Sequence, residues 1–318
     1  MAASRSSTSS SDSDERRLLL RLVAPYLLVL VGAALLLDVA IERQLLFGSS
    51  ASGAYKVHRI THESPVEEWP IIGTSRAKCC FIPDSIAPRA FNYGLNGADF
   101  DVTLFFLEQA LQRDTATPVL LSVDYDWWSG ALGNLANYVA SAEHPAVRDL
   151  MGEAYHPIHR VPLLRHFGLF DTYVADYLKS RFTVTEVVTQ GAGLLLGQVS
   201  PARFGAMVRA ARAGRYVPAT AIDSTRLDRL RVLLAEHRNR PVVLVVPPYH
   251  PSFMEGLRSQ GRRMEWVQAM DTFPQVRVLD YSRVHYADSL YFDLKHLNAQ
   301  GARRFNRQLR RDLHAMHP

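Results

Sequence analysis

Beyond residue 65 the apolar positions alternate between two patterns: short unbroken runs closed by glycine or proline, and longer stripes in which an apolar residue returns every three or four positions. Runs of the first kind predict strands at residues 66–73, 90–94, 118–123, 241–246 and 276–279. The stripes predict helices at 99–113, 222–238, 254–270 and 299–313, with Asp99 standing where an N-cap belongs. Runs that are apolar throughout, such as 118–123, are expected to be buried on both faces, and strands interleaved with helices imply crossover connections. The expected class is therefore α/β, with a mostly parallel sheet and helices on both faces.

The N-terminal pattern is different. A Ser-rich polar stretch, with residues 1–17 expected as a disordered cytoplasmic tail, precedes a charge-free apolar run at residues 22–37. At about 1.5 Å per residue that run spans about 24 Å, short of a hydrocarbon core of about 30 Å. Residues 18–20 and 39–41 extend it to a transmembrane anchor at 18–41 when Arg21 and Asp38 reach to the interfaces. Arg16, Arg17 and Arg21 precede the span, whereas Glu42 and Arg43 roughly cancel after it, which keeps the tail inside and sends residues 42–318 across the membrane. The rival reading is a cleaved signal peptide; Ala51, Ser52 and Gly53 offer small residues, but they lie well beyond the apolar run, which favours the uncleaved anchor.

Between residues 127 and 221 the alternation fails and a helical insertion is expected, shaping access to the sheet's rim. It begins with Trp127 and Trp128, which suit either a core or stacking on sugar rings. His156 and His159 invite a metal reading, but Pro157 between them and the lack of patterned carboxylates argue against it. Composition is ordinary for a globular chain of 318 residues, 47% hydrophobic and 21% charged. The net charge of +5 is spread rather than gathered into a stripe, and no reading module is visible, so nucleic acid is not an expected partner. Cys79 and Cys80 are adjacent, which suits neither a disulfide nor a zinc site, and they are read as apolar fillers. No glycine-rich phosphate loop occurs, and no cofactor or metal is expected.

Two segments carry candidate chemistry. Ser75 follows the first predicted strand in a small-residue turn, and Asp293 and His296 stand three positions apart ahead of the last helix. A serine hydroxyl becomes a nucleophile when an imidazole takes its proton, and a carboxylate fixes that imidazole's tautomer. A serine in such a turn also caps helices, and Asp288 is an alternative orienting acid. Sites in open parallel sheets lie beyond the carboxyl ends of the strands, so Ser75, Gly94, Asp124 and Tyr249 are expected to crowd one rim and Ser75 to meet His296.

The segments IIGTSRA (71–77), FNYGLNGADF (91–100), SVDYDWW (122–128) and DLKHLNAQG (293–301) resemble the successive blocks of the SGNH or GDSL hydrolase superfamily. More narrowly they resemble its membrane-anchored branch, which includes the D-alanine transfer protein of teichoic acid synthesis and the alginate O-acetyltransferases. The resemblance covers residues 65–318 and implies a three-layer flavodoxin-like fold. It also implies Ser75 as nucleophile, His296 as base, Asp293 as orienting carboxylate, and the backbone N–H groups of Ser75 and Gly94 as oxyanion donors. Where many members carry a donating asparagine, this chain has Asp124, Tyr125 and Asp126. Tyr125, Asn92 or Asn96 substitutes, or the oxyanion hole relies on backbone groups alone; Arg76 and His250 are further site neighbours.

The expected function is a serine O-acyltransferase or esterase acting on a cell-envelope or secreted glycan. It is held by one pass in a bacterial inner membrane with its domain in the periplasm, beside a multi-spanning partner that exports the acyl group. The alternative is a catalytically silent protein of the same fold that binds glycan or scaffolds an acylation complex.

Overall fold

The computed structural model describes residues 11–63, 65, 67–124, 132–182, 186–215, 224–259 and 265–316. Tyr125, Trp127 and Trp128, like most of the expected tail, lie outside the described residues. The first helix, α1 (Ser11–Ile41), already starts inside the stretch expected to be disordered. Residues Arg21–Leu46 are long and apolar enough to cross a membrane, with a mean hydropathy of 2.3, a property that a signal sequence near an N-terminus shares.

The remaining elements follow as α2 (Gly53–His58), β1 (Trp69–Ile72), α3 (Ser75–Cys80), α4 (Pro83–Ile86), β2 (Ala90–Asn92), α5 (Phe100–Leu111) and β3 (Val119–Ser122). Then come α6 (Pro145–Met151), α7 (Phe170–Phe182), β4 (Glu186–Thr189), β5 (Ala192–Leu195), α8 (Pro201–Arg212) and α9 (Ser224–Glu236). The chain closes with β6 (Val242–Val246), α10 (Pro251–Ser259), α11 (Glu265–Met270), β7 (Val276–Asp280) and α12 (Ala299–Met316).

Five strands form one parallel sheet in the order β2-β1-β3-β6-β7. The central strands β3 and β6 are buried at every position, as their unbroken apolar runs require. Helices flank the sheet: α5 packs on β1 and β3 with α9 against it, α12 packs on α3 and α4, and α11 on β7. Asp99 does cap α5, accepting from the Val102 N–H at 2.8 Å. From β1 the chain moves outward to β2 and then returns to the other side of β1 as β3. The strand order therefore reverses between β1 and β3, the place where parallel sheets open a crevice.

The segment expected to be a helical insertion contains α6, α7, α8 and several 3₁₀ turns, but it also contains the antiparallel hairpin β4–β5. Gln190 and Gly191 make its two-residue turn, both with positive φ (39° and 84°). The hairpin is held to α3 by Lys78 and Glu186, 2.9 Å apart. His156 and His159 turn their Nδ1 atoms to backbone capping, accepting from Ile158 N–H and His156 N–H respectively.

Candidate active site

The carboxyl end of β1 is built for a close turn. Gly73 has φ 152°, and a Cβ there would lie 2.8 Å from the Cβ atoms of both Ala77 and Ser122. Thr74 caps α3 with its Oγ1, which accepts from Arg76 N–H, and its carbonyl accepts from Lys78 N–H at 3.1 Å. The cap is thus Thr74, and Ser75 is the first helical residue with its hydroxyl free to face the rim. Its backbone N–H is one of the first-turn amides that an α-helix leaves without an internal acceptor.

His296 reaches that hydroxyl from across the chain. Its Nε2 lies 2.8 Å from Ser75 Oγ, and its Nδ1 lies 3.0 Å from both carboxylate oxygens of Asp293. The three-residue spacing works because Asp293 Oδ1 also accepts the N–H groups of Lys295 and His296, each at 2.8 Å, folding the loop back on itself. A Tyr291–Leu297 bridge and a Phe292 N–H bond to the His296 carbonyl at 2.9 Å close the turn. With the carboxylate facing Nδ1, the ring proton belongs there and Nε2 is left to accept from Ser75. Burial pushes the Asp293 carboxyl up, but the hydrogen bond and charge of His296 and the two backbone donors outweigh it, holding the group below its ordinary value.

A second layer of contacts holds these two segments together. Arg76, 1% exposed, sends Nη1 to Asp124 Oδ1 at 3.0 Å and Nε to the Lys295 carbonyl at 2.9 Å. Its Nη2 donates to the carbonyls of Pro247 and Pro248, each at 2.8 Å, and the guanidinium lies over the Tyr249 ring. Thr74 Oγ1 donates to the other oxygen of Asp124. One guanidinium thereby joins the ends of β1, β3 and β6 to the loop that carries His296, and the expected crowding at one rim is present. Asp124 is not a bare negative charge beside the serine, because Arg76 and Thr74 occupy both its oxygens. Thr74 and the Lys295 carbonyl were not singled out from sequence; the small polar residue directly before Ser75 was the available signal for the first.

Two expectations for this rim are corrected. The Gly94 N–H does not face Ser75 as an open donor, because it donates to Asn92 Oδ1 at 2.8 Å. Gly94 is instead required by packing, since a Cβ there would come within 2.4 Å of Lys78 N and 2.7 Å of the Ala77 Cβ. Asn92 does not serve an oxyanion either: its amide donates to the carbonyls of Ala77 and Phe81, which hold α3 against β2. His250 is a site neighbour through its backbone, its N–H donating to the Leu294 carbonyl at 3.0 Å, while its buried side chain accepts from Ser252 N–H at Nδ1 and faces Asp288 at 3.1 Å with Nε2. Asp288 is thereby spoken for, and Asp293 is the acid on His296.

The exposed turn beside Gly73 contains Asn96 and Gly97, tied back by a Leu95 N–H bond to the Gly73 carbonyl at 3.1 Å. Among the described residues the backbone amides of Asn96 and Gly97 have no acceptor, which leaves them as the open donors on this stretch.

Elsewhere, Asp38, Glu42 and His166 gather their ligand atoms within 4.8 Å, but the Arg165 guanidinium pairs with both carboxylates and fills the cation's place. Cys79 and Cys80 are buried on α3, and burial pushes both thiols up, Cys80 to about 11, so neither is a thiolate near neutral pH. A cleft of about 800 Å³ along β2, lined by Arg59, Glu68, Arg89, Phe91 and Gln190 among others, includes none of Ser75, Asp293 and His296.

No protein-family model matches the chain, and no curated protein matches it. Among solved structures, one from Streptococcus pneumonia described as a platelet activating factor is similar over 88% of this chain and 98% of its own, at 12% identity and a TM-score of 0.38. A likeness of that degree carries no argument about fold or function.

Proposed function

We propose that this chain is a membrane-anchored serine acyltransferase or esterase of the SGNH type, with a three-layer flavodoxin-like domain on the extracytoplasmic side. Its substrate is a cell-envelope or secreted glycan. The observation that carries the reading is the unbroken chain of contacts from Ser75 Oγ through both ring nitrogens of His296 to Asp293.

In the reaction this geometry supports, His296 Nε2 takes the Ser75 proton as Oγ bonds to the acyl carbon and the carbonyl π electrons move to oxygen. The oxyanion collapses, the leaving alkoxide departs with the proton from His296, and the acyl group remains as a Ser75 ester. A sugar hydroxyl, or water, then gives its proton to His296 and attacks that ester, and Ser75 leaves with its proton restored. Asp293 stabilises the imidazolium in both halves without itself changing protonation. In this reading the developing oxyanion takes the Ser75 N–H and the amides of the 96–97 turn as its donors. Transfer and hydrolysis differ only in the acceptor, and a membrane anchor favours transfer because it holds the serine near a multi-spanning acyl exporter.

A strain carrying Ser75→Ala is expected to lose O-acyl groups from its envelope or secreted glycan; unchanged acyl content would remove the proposal. The silent-scaffold reading has one observation in its favour, the engagement of the Gly94 amide by Asn92. It predicts that Ser75→Ala leaves acylation intact while deletion of the whole chain abolishes it.

A further inference from the structure

Outside α1, the described residues expose ten large apolar side chains, and six of them, Val161, Leu164, Phe167, Phe170, Tyr177 and Leu178, fall in one stretch of the insertion. Phe167 is the extreme case at 84% exposure, and from residue 161 to 170 the sequence holds no acidic residue. Isolated apolar residues on a surface need no explanation, but a cluster this dense does.

Its position supplies the explanation. The turn that presents Leu164 and Phe167 is fastened to the base of α1. Asp38 accepts from the Leu163 N–H at 2.7 Å and from Arg165 Nε at 3.0 Å, and lies 3.1 Å from His166 Nε2. Arg165 also pairs with Glu42 at 2.9 Å, and Tyr173 of α7 packs with Ile41 and Leu46. Directly before Asp38, Leu35, Leu36 and Leu37 are exposed to whatever surrounds α1. The patch is therefore held at the height where the apolar helix gives way to polar residues, and Arg160 stands exposed at its edge.

We propose that residues 161–170 form an interfacial foot that inserts Leu164 and Phe167 into the headgroup region of the bilayer, a proposal that rests on the reading of α1 as an anchor. A lipid surface is the occupant favoured here because the contacts to Asp38 and Glu42 fix the patch beside the span whether or not another protein is present. Aromatic and leucine side chains with a flanking arginine are suited to that zone. With α1 and the foot as two separate attachments, the domain stands in one orientation instead of pivoting on a single helix, which holds the Ser75 rim at a set height above the membrane.

The test uses the full chain in nanodiscs of phosphatidylethanolamine and phosphatidylglycerol, with nitrobenzoxadiazole placed on single cysteines introduced as Leu30→Cys, Leu164→Cys, Phe167→Cys or Val232→Cys. Cys79 and Cys80 are buried, and the unsubstituted chain measures their background. Val232 is 55% exposed on α9 and serves as the aqueous control. The expected result is a blue shift and loss of emission on adding doxyl-labelled lipid at positions 164 and 167 as well as 30, with position 232 unchanged. Quenching at 30 with 164 and 167 behaving like 232 overturns the foot alone. A blue shift at 164 and 167 without lipid quenching also overturns it, indicating that a second copy covers the patch. No quenching at 30 overturns the anchor reading and the foot with it.

Discussion

Arg76 offers the sharpest test of how the site is assembled. Replacing it with methionine keeps side-chain bulk but removes the guanidinium that bridges Asp124, the Lys295 carbonyl and the Pro247 and Pro248 carbonyls. Asp124 is 1% exposed, so its buried carboxylate would lose this cation while keeping the Thr74 hydroxyl as a donor. Breaking a buried ion pair from one side costs about 3–5 kcal/mol. For a chain of this size that lowers Tm by about 2–4 °C per kcal/mol, or roughly 10 °C. The assay is thermal unfolding of the full chain in nanodiscs followed by near-UV circular dichroism. Arg76→Met/Asp124→Asn should recover part of the loss, because the buried charge that lost its cation is gone while the guanidinium's hydrogen bonds to the three carbonyls are still missing. Arg76→Lys should fall between, since an ammonium cannot span the same forked set of acceptors. An Arg76→Met protein melting within about 2 °C of the parent would refute the reasoning, as would a double variant no more stable than the single one.

Other outcomes follow from the same contacts. Asp293→Asn should retain the fold but lower acyl transfer by on the order of 10⁴-fold, as expected when a base loses the partner that fixes its tautomer; turnover of an activated acyl ester checks it. The Asp293 carboxyl is depressed in the folded chain, so its stabilising contribution is present above the ordinary carboxyl value near about 4 and is lost as pH falls through the lower folded value. The stability gap between parent and Asp293→Asn should therefore close on acidification, which unfolding measured across that range would show. Lys56 is fully buried and donates to the Gly94 carbonyl; burial first, then the charge of Lys78, pushes its pKa well below the ordinary value. Between that depressed value and about 10.4 the unfolded chain holds a proton that the folded chain lacks, so stability rises with pH in that window. Lys56→Met should abolish the rise, and denaturant midpoints at neutral and alkaline pH measure it.

Much of this arrangement was legible in the sequence because it rests on local patterns. The runs at 118–123 and 241–246 became β3 and β6 almost to the residue, since a doubly covered strand has no polar face to obscure it. Ser75 is readable because it opens a helix directly after a strand, and Asp293 and His296 because an acid and an imidazole stand three positions apart in the loop ahead of the last helix. What could not be read depends on which atoms meet across the fold. In the linear sequence the Gly94 amide has no visible acceptor, whereas in the fold the side chain two residues before it captures the N–H. Asp124 looked like a repulsive charge because nothing in a linear sequence says that the residue after the serine, forty-eight positions earlier, would neutralise it. The β4–β5 hairpin lies in a segment whose sequence reads as helical, although Gln190–Gly191 between the β-prone Val187–Val188 and Leu194–Leu195 is a fair turn signal.

The central claim is that Ser75 is an activated nucleophile. Treating the full chain with a fluorophosphonate and mapping the adduct by mass spectrometry tests it most directly. The account predicts one phosphonylated residue, Ser75, with labelling abolished by Ser75→Ala and slowed by Asp293→Asn. Absence of any adduct on the folded chain, or modification at a different serine with Ser75 untouched, would contradict it.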